Sequence, residues 1–214
     1  MSNRFSNTAG AAIVTDLITA IQAQKQYLSD IDGKIGDGDH GINMNKGFTL
    51  TGEQLEANPG DLTASLNALS KVLMLKIGGS MGPLYGMFFK AMATATNGVE
   101  AINAVVFGQM MEGARTSIQK ISKAKPGDKT LMDVLVPAVD AYQVALADDY
   151  SFETCLDAMW AAAEKGRDST EDMVAKLGRS SRLGERSRGV IDAGAASCCL
   201  ILQTMAATIK QLLS

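Results

Sequence analysis

Apolar residues recur along this chain at alternating three- and four-residue steps, the period of a helix that buries one face. Val14, Leu17, Ile18 and Ile21 begin the pattern, and Leu62, Leu66, Leu69 and Leu73 follow it after Asp61, a residue suited to cap a helix start. Phe107, Met111, Ala114, Ile118 and Ile121 repeat it, as do Leu131, Leu135, Ala138, Tyr142 and Ala145. Near the carboxyl end Cys198, Leu202, Met205, Ile209 and Leu212 line one helical side. Further candidates span roughly 41–56, 82–96 and 152–170, each bounded by Gly, Pro, Asp or Ser clusters. The sum is about eight amphipathic helices, and strand-like alternation is nearly absent. These features predict an all-α fold, an eight-helix antiparallel bundle or barrel in one domain over residues 1–214. Pro137 lies inside the sixth helix and is expected to bend it, because proline lacks an N–H and crowds the carbonyl one turn back.

Composition narrows the function. The formal net charge is −3, and Lys and Arg are spread along the chain apart from one late cluster. The footprint of a nucleic-acid binder is therefore missing. The amino-terminal apolar patch is too short for a secretory signal, and no uninterrupted apolar run reaches the length of a membrane span. Cys155, Cys198 and Cys199 form neither a CxxC pair nor a disulfide spacing, which suits buried thiols in a reducing compartment. The expectation is a cytoplasmic protein that engages neither nucleic acid nor membrane. Twelve methionines are read as adaptable core filling.

Chemistry concentrates in four segments. Asp30-Ile31-Asp32-Gly33-Lys34-Ile35-Gly36-Asp37-Gly38-Asp39-His40-Gly41 interleaves four carboxylates with four glycines. Asp37 and Asp39 are two apart, so no helix presents them side by side, whereas a glycine-relaxed loop can fold them inward. Hard oxygen ligands without thiolates suit Mg²⁺ or Ca²⁺. Counted from Asp30 as an EF-hand loop, the fifth position is Lys34 and the sixth is Ile35, so that calcium reading fails. By spacing alone a Mg²⁺ cluster and a solvated acidic turn are equal readings.

The second segment, Gly78-Gly79-Ser80-Met81-Gly82-Pro83-Leu84-Tyr85-Gly86, ends one helix and starts another with Pro83 in the first turn. Its exposed N–H groups would make an anion site, although it lacks the Gly-Lys-Ser/Thr ending of a Walker loop. Lys125-Pro126-Gly127-Asp128-Lys129-Thr130-Leu131-Met132-Asp133 is a turn with Thr130 as N-cap and Asp133 in a capping-box position. Arg179, Arg182, Arg186 and Arg188 crowd the fourth segment, just before Asp192-Ala193-Gly194 opens the last helix. Arginine's planar fork of donors suits phosphate, and an acidic protein surface would suit it equally. His40 is the only histidine and sits among carboxylates, which favours a positioning or phosphate-contacting role over a general base.

In this order, Gly36-Asp37-Gly38-Asp39-His40-Gly41, the Gly78 to Gly86 turn, Pro126-Gly127-Asp128-Lys129-Thr130 and Leu183-Gly184-Glu185-Arg186-Ser187 resemble the L subunits of dihydroxyacetone kinases, over nearly the whole chain. The resemblance implies an eight-helix barrel with nucleotide bound by the loops at one end. It places two Mg²⁺ ions on Asp32, Asp37 and Asp39, with Asp30 as an extra carboxylate nearby. It places ADP or ATP among His40, Gly41, Ile42, Asn43, Gly79, Ser80, Met81, Ser122, Thr130, Leu131, Arg179, Asp192, Ala193 and Gly194. Arg179 joins the three aspartates as the group facing the transferred phosphoryl.

Three positions depart from the family pattern: Met81 where Ser is usual, Ser122 where Gly is expected, and Ala193 where Pro often follows the Asp. The implied partners are a dihydroxyacetone-binding K subunit and, in the phosphotransferase-coupled version, a phosphohistidine carrier. A homodimer stays open. So do two other functions, the nucleotide domain of a related sugar or fatty-acid kinase, and a non-catalytic nucleotide-binding adaptor.

Overall fold

The structure, a computed structural model, describes residues 3–214. Its elements run β1 Arg4–Ser6, α1 Ala11–Ala23, α2 Lys25–Ile35, α3 His40–Ala57, α4 Leu62–Lys76 and α5 Met81–Ala95. They continue with β2 Ala101–Asn103, α6 Ala104–Ile121, α7 Met132–Ala147, α8 Phe152–Ser169, a 3-10 helix Ser180–Ser187 and α9 Ala193–Leu213. The fold is all-α, as the hydrophobic period requires.

Nine α-helices stand among the described residues where the sequence suggests about eight, and α2 is the addition. It turns part of the acidic segment into helix, because Leu28, Ile31 and Ile35 bury a face that the interleaved polar residues hide from a pattern search. Only Gln24 separates α1 from α2, and both pack against α3 and α9, so the pair fills one position in the barrel. Each remaining helix packs on the next in chain order, and α9 packs back on α1, which closes an eight-membered ring. Most ring neighbours are joined by short connections that make them antiparallel, the long exception lying between α8 and α9.

The apolar stripes face inward to one continuous core that includes Leu17, Leu69, Phe89, Met111, Leu135 and Leu202. Strands β1 and β2 pair antiparallel, with Phe5 opposite Ile102, a short sheet that alternation alone could not reveal. Phe5 stacks on Phe152 at 6.5 Å and closes the end where the chain enters α1. Pro137 stays inside α7 and leaves the Asp133 carbonyl without its helical donor. Helix α8 approaches that carbonyl at Gly166, where a Cβ would come within 2.3 Å of it.

Helix α9 is the one described helix long and apolar enough to cross a membrane by length and composition, but 61% of that stretch is buried in the barrel. Three of the residues that make it apolar are Cys198, Cys199 and Met205, all buried. Burial pushes the Cys155 and Cys198 thiols up and holds Cys199 at about 11, with Arg167 pulling the last one back in part. Thiolate is the reactive form, so the folded chain is expected to resist a thiol-specific disulfide reagent at pH 8. Denaturant should then release three equivalents, read by absorbance. Fast labelling of the native chain would contradict this packing.

Candidate functional site

Alternating direction brings the ends of α2, α4, α6 and α8, and the starts of α3, α5, α7 and α9, to one end of the barrel. All four junctions line a single cavity of about 530 Å³ there. Of the helices that start at the opposite end, α4, α6 and α8 are each capped by a side chain, Asp61, Asn103 and Ser151, and α1 follows Gly10 without one. At the cavity end Asp192 caps α9 through the Ala195 N–H, while α7 has Leu131 at its cap position and Thr130, one residue earlier, accepts the Met132 N–H. Helices α3 and α5 have no side-chain cap. At α5 the Met81 N–H and the positive end of the helix dipole border the cavity, whereas at α3 the first N–H, that of His40, already goes to a carboxylate.

The acidic segment divides between helix and loop. Asp30 and Asp32 lie on α2, and helical geometry sends them to different faces. Asp30 faces solvent and accepts from Gln26, so it does not join the cluster. Asp32 turns inward and accepts the His40 N–H at 3.3 Å. Gly36 ends α2 in an extended conformation, and a Cβ there would sit 2.5 Å from an Asp32 carboxylate oxygen. Gly38, at φ 76°, supplies the left-handed turn that swings Asp37 and Asp39 to the same side.

One carboxylate oxygen from each of Asp32, Asp37 and Asp39 then lies within 4.8 Å of the others. Arg179 pairs with Asp37 and stands 3.7 Å from Asp39. Three anionic oxygens at this separation repel one another unless cations intervene. The donor set is oxygen only, the set that hard divalent ions such as Mg²⁺ take. The residues present therefore fit the metal that the sequence resemblance implies.

Behind the carboxylates runs a buried polar chain. His40 Nε2 lies 2.9 Å from Ser197 Oγ, Ser197 Oγ lies 2.6 Å from the Tyr85 hydroxyl, and Tyr85 donates to the Gly194 carbonyl at 3.3 Å. Burial pushes His40 down to about 4 despite the Asp32 charge, so the imidazole is neutral at pH 7. Burial likewise raises Asp192 to about 7, with the Ala195 N–H and then Lys129 opposing the shift.

Of the residues expected at the site, Asp32, Asp37, Asp39, His40, Asn43, Gly79, Ser80, Met81, Ser122, Thr130, Leu131, Arg179, Asp192, Ala193 and Gly194 all line the cavity. Gly41 and Ile42 do not. Gly41 is buried against α2, where a Cβ would meet the Lys25 carbonyl at 2.1 Å, so its place is structural. Ile42 is 53% exposed on the rim, one helical step past the mouth.

A model of the DAK2 domain matches residues 34–207, most of the chain. The chain belongs to the DAK2 domain family. This DAK2 chain is 37% identical over 189 residues to the PEP-dependent dihydroxyacetone kinase, ADP-binding subunit DhaL, of Escherichia coli (strain K12), covering 88% of this chain and 90% of that one. It is 36% identical over 186 residues to the PTS-dependent dihydroxyacetone kinase, ADP-binding subunit DhaL, of Lactococcus lactis, covering 86% and 88%. A solved dihydroxyacetone kinase from C. freundii, in complex with AMP-PNP and Mg²⁺, superposes with a TM-score of 0.70 at 22% identity. That match covers 97% of the DAK2 chain and 35% of the longer kinase, and at this identity it shows the fold.

The cavity wall also holds residues that sequence reasoning left out. Leu84, Ile118 and Ile121 form an apolar side, and Lys129 and Tyr85 a polar one. Ser197 was detectable, as a lone hydroxyl on an otherwise apolar stretch of α9 one turn after Ala193. Nothing in the sequence signals that the Lys129 side chain turns inward.

Proposed function

We propose that this chain is the nucleotide-binding subunit of a dihydroxyacetone kinase, carrying ADP or ATP with two Mg²⁺ ions and serving a ketose held on a partner K subunit. The observation that carries the proposal is the juxtaposition, across one cavity, of three converging carboxylates and two uncapped helix starts. A cation site facing an anion site is what a metal-bound diphosphate needs.

Asp32, Asp37 and Asp39 would hold the metal, and the N–H groups at the starts of α3 and α5 would take phosphate oxygens. Met81 has no hydroxyl to add there, so at that position contact would come from the backbone, with the Ser80 hydroxyl beside it on the wall. The departures at Ser122 and Ala193 leave the wall intact, since both line it. Leu84, Ile118, Ile121 and Leu131 offer an apolar face to the base. Arg179 supplies a planar cation at the carboxylates, placed to cover phosphoryl charge. Bound Mg²⁺ would neutralise the phosphate oxygens and hold them in line for transfer. No covalent protein intermediate is required.

Near-full-length similarity to separate PEP- and PTS-dependent ADP-binding subunits favours the version in which ADP stays bound and a phosphohistidine carrier recharges it. Native mass spectrometry of the freshly purified chain should find ADP with two Mg²⁺ ions retained. Ketose phosphorylation should then appear only on mixing with a K subunit and the carrier. An empty chain that turns over free ATP would overturn the prosthetic form of the proposal, and a chain that supports no transfer in either system would overturn the whole.

The rim offers a surface for that K subunit. Ile42, Met74, Leu75 and Ile121 are exposed apolar residues at the cavity ends of α3, α4 and α6, with Leu75 at 68%, and Leu177 is another on the α8–α9 segment. Such a patch around a polar mouth is typical of an interface. Leu75→Asp is expected to weaken K-subunit association by about tenfold or more, while ADP binding, followed by calorimetry, stays unchanged.

A further inference from the structure

The chain between α8 and α9 borders the carboxylate side of the cavity and carries Arg179 just before its one regular piece, the 3-10 helix Ser180–Ser187. Its two ends are tied together, with the Gly189 N–H donating to the Glu171 carbonyl at 2.8 Å. Inside the loop the Ala175 N–H donates to Ser187 Oγ at 2.9 Å. The result is a closed strap over residues 171–189, held to itself at both of these points.

The strap is fastened to the barrel by a buried cation. Lys129, at the turn before α7, is fully buried and adopts φ 60°, a conformation that side-chain-bearing residues seldom take. Its ammonium donates to the Met173 carbonyl at 3.1 Å and to the Ser187 carbonyl at 2.6 Å, one on each limb of the strap. Burial pulls its pKa below the ordinary lysine value, with Asp192 resisting. A buried ammonium is costly unless it is hydrogen-bonded, and both bonds go to the segment that bears Arg179. Beside it, the Lys176 N–H donates to the Asp128 carbonyl at 3.2 Å, a second stitch between the same turn and strap.

We infer that Lys129 is a positioning residue that acts through Arg179: by pinning both limbs of the strap it holds the guanidinium over Asp37 and Asp39. The inference rests on the proposal that Arg179 covers phosphate charge in this cavity. Lys129 also lines the cavity, so direct contact with the nucleotide is the competing role, and a double-mutant cycle separates the two.

In the full-length chain, Lys129→Met, Arg179→Ala and the double variant are compared for Mg·ADP affinity by calorimetry, and for hydrogen exchange at the Ala175 and Gly189 amides. Lys129→Met is expected to accelerate exchange at both amides and to lower affinity roughly 10- to 100-fold, as loss of an outer-shell support does. Adding it to Arg179→Ala should lower affinity little further. Should Lys129→Met fail to fold, Ser187→Ala loosens the strap without removing a charge and should give the same coupling. Multiplicative losses in the double variant, or exchange that does not change, would overturn the inference while leaving the proposed function standing. Wild-type affinity in Arg179→Ala would instead sink the reading of Arg179, and this inference with it.

Discussion

Changing Asp37 and Asp39 together to Asn is expected to lower ketose phosphorylation on the order of 10³-fold or more in the reconstituted system. Asn keeps the size of Asp and leaves the left-handed Gly38 turn undisturbed, so the change removes charge rather than shape. Two of the three oxygens that lie within 4.8 Å of one another lose their anionic character, and Arg179 loses both of its carboxylate partners.

Stability should respond in the opposite sense. Without ligand, the crowded carboxylates repel, so the double variant is expected to melt no lower than the parent, and Mg·ADP should no longer raise its melting temperature. Calorimetric melting with and without Mg·ADP reads both effects. Undiminished transfer would remove these aspartates from the chemistry, and a variant that unfolds on its own would mean that they are scaffold.

The second large effect is expected at Gly41. A methyl group here would press on the Lys25 carbonyl oxygen at 2.1 Å and on the Ser29 backbone nitrogen at 2.7 Å, and neither backbone atom can swing away as a side-chain end does. Helix α3 must move away from α2, and Asp39 and His40 at its start must move with it. Overpacking of this kind costs about 1–3 kcal/mol, so Gly41→Ala should melt roughly 5–10 °C lower. Mg·ADP binding should weaken as well, although Gly41 is not on the cavity wall. A variant that melts normally and binds normally would show that the α2–α3 contact can yield.

Much of this was legible in the chain itself. The stripes of Leu62 to Leu73 and of Phe107 to Ile118 appear as buried helix faces, because a three-to-four period has one physical solution. Asp61 caps α4 as a short polar side chain before an apolar run should, whereas the cap position of α7 falls on Leu131, one residue after Thr130. The convergence of Asp32, Asp37 and Asp39 was legible only in part. Gly38 advertised the turn, but the boundary of α2 was hidden because Asp30, Asp32 and Lys34 mask a face of only three buried residues.

Lys129 was the least accessible to sequence reasoning. An ammonium on a surface turn is the ordinary expectation, and its inward path depends on carbonyls 44 and 58 residues away. Such partners come from closure of the ring, which no local pattern encodes.

In the proposed loaded state, a phosphate at the starts of α3 and α5 would become a piece of the backbone's own hydrogen bonding. Whatever fills the mouth completes the opening turns of two helices, much as a keystone completes an arch. Amide protection at Gly41, Ile42, Met81 and Gly82 should therefore tighten on loading and relax on emptying, so that the secondary structure itself records whether nucleotide is bound.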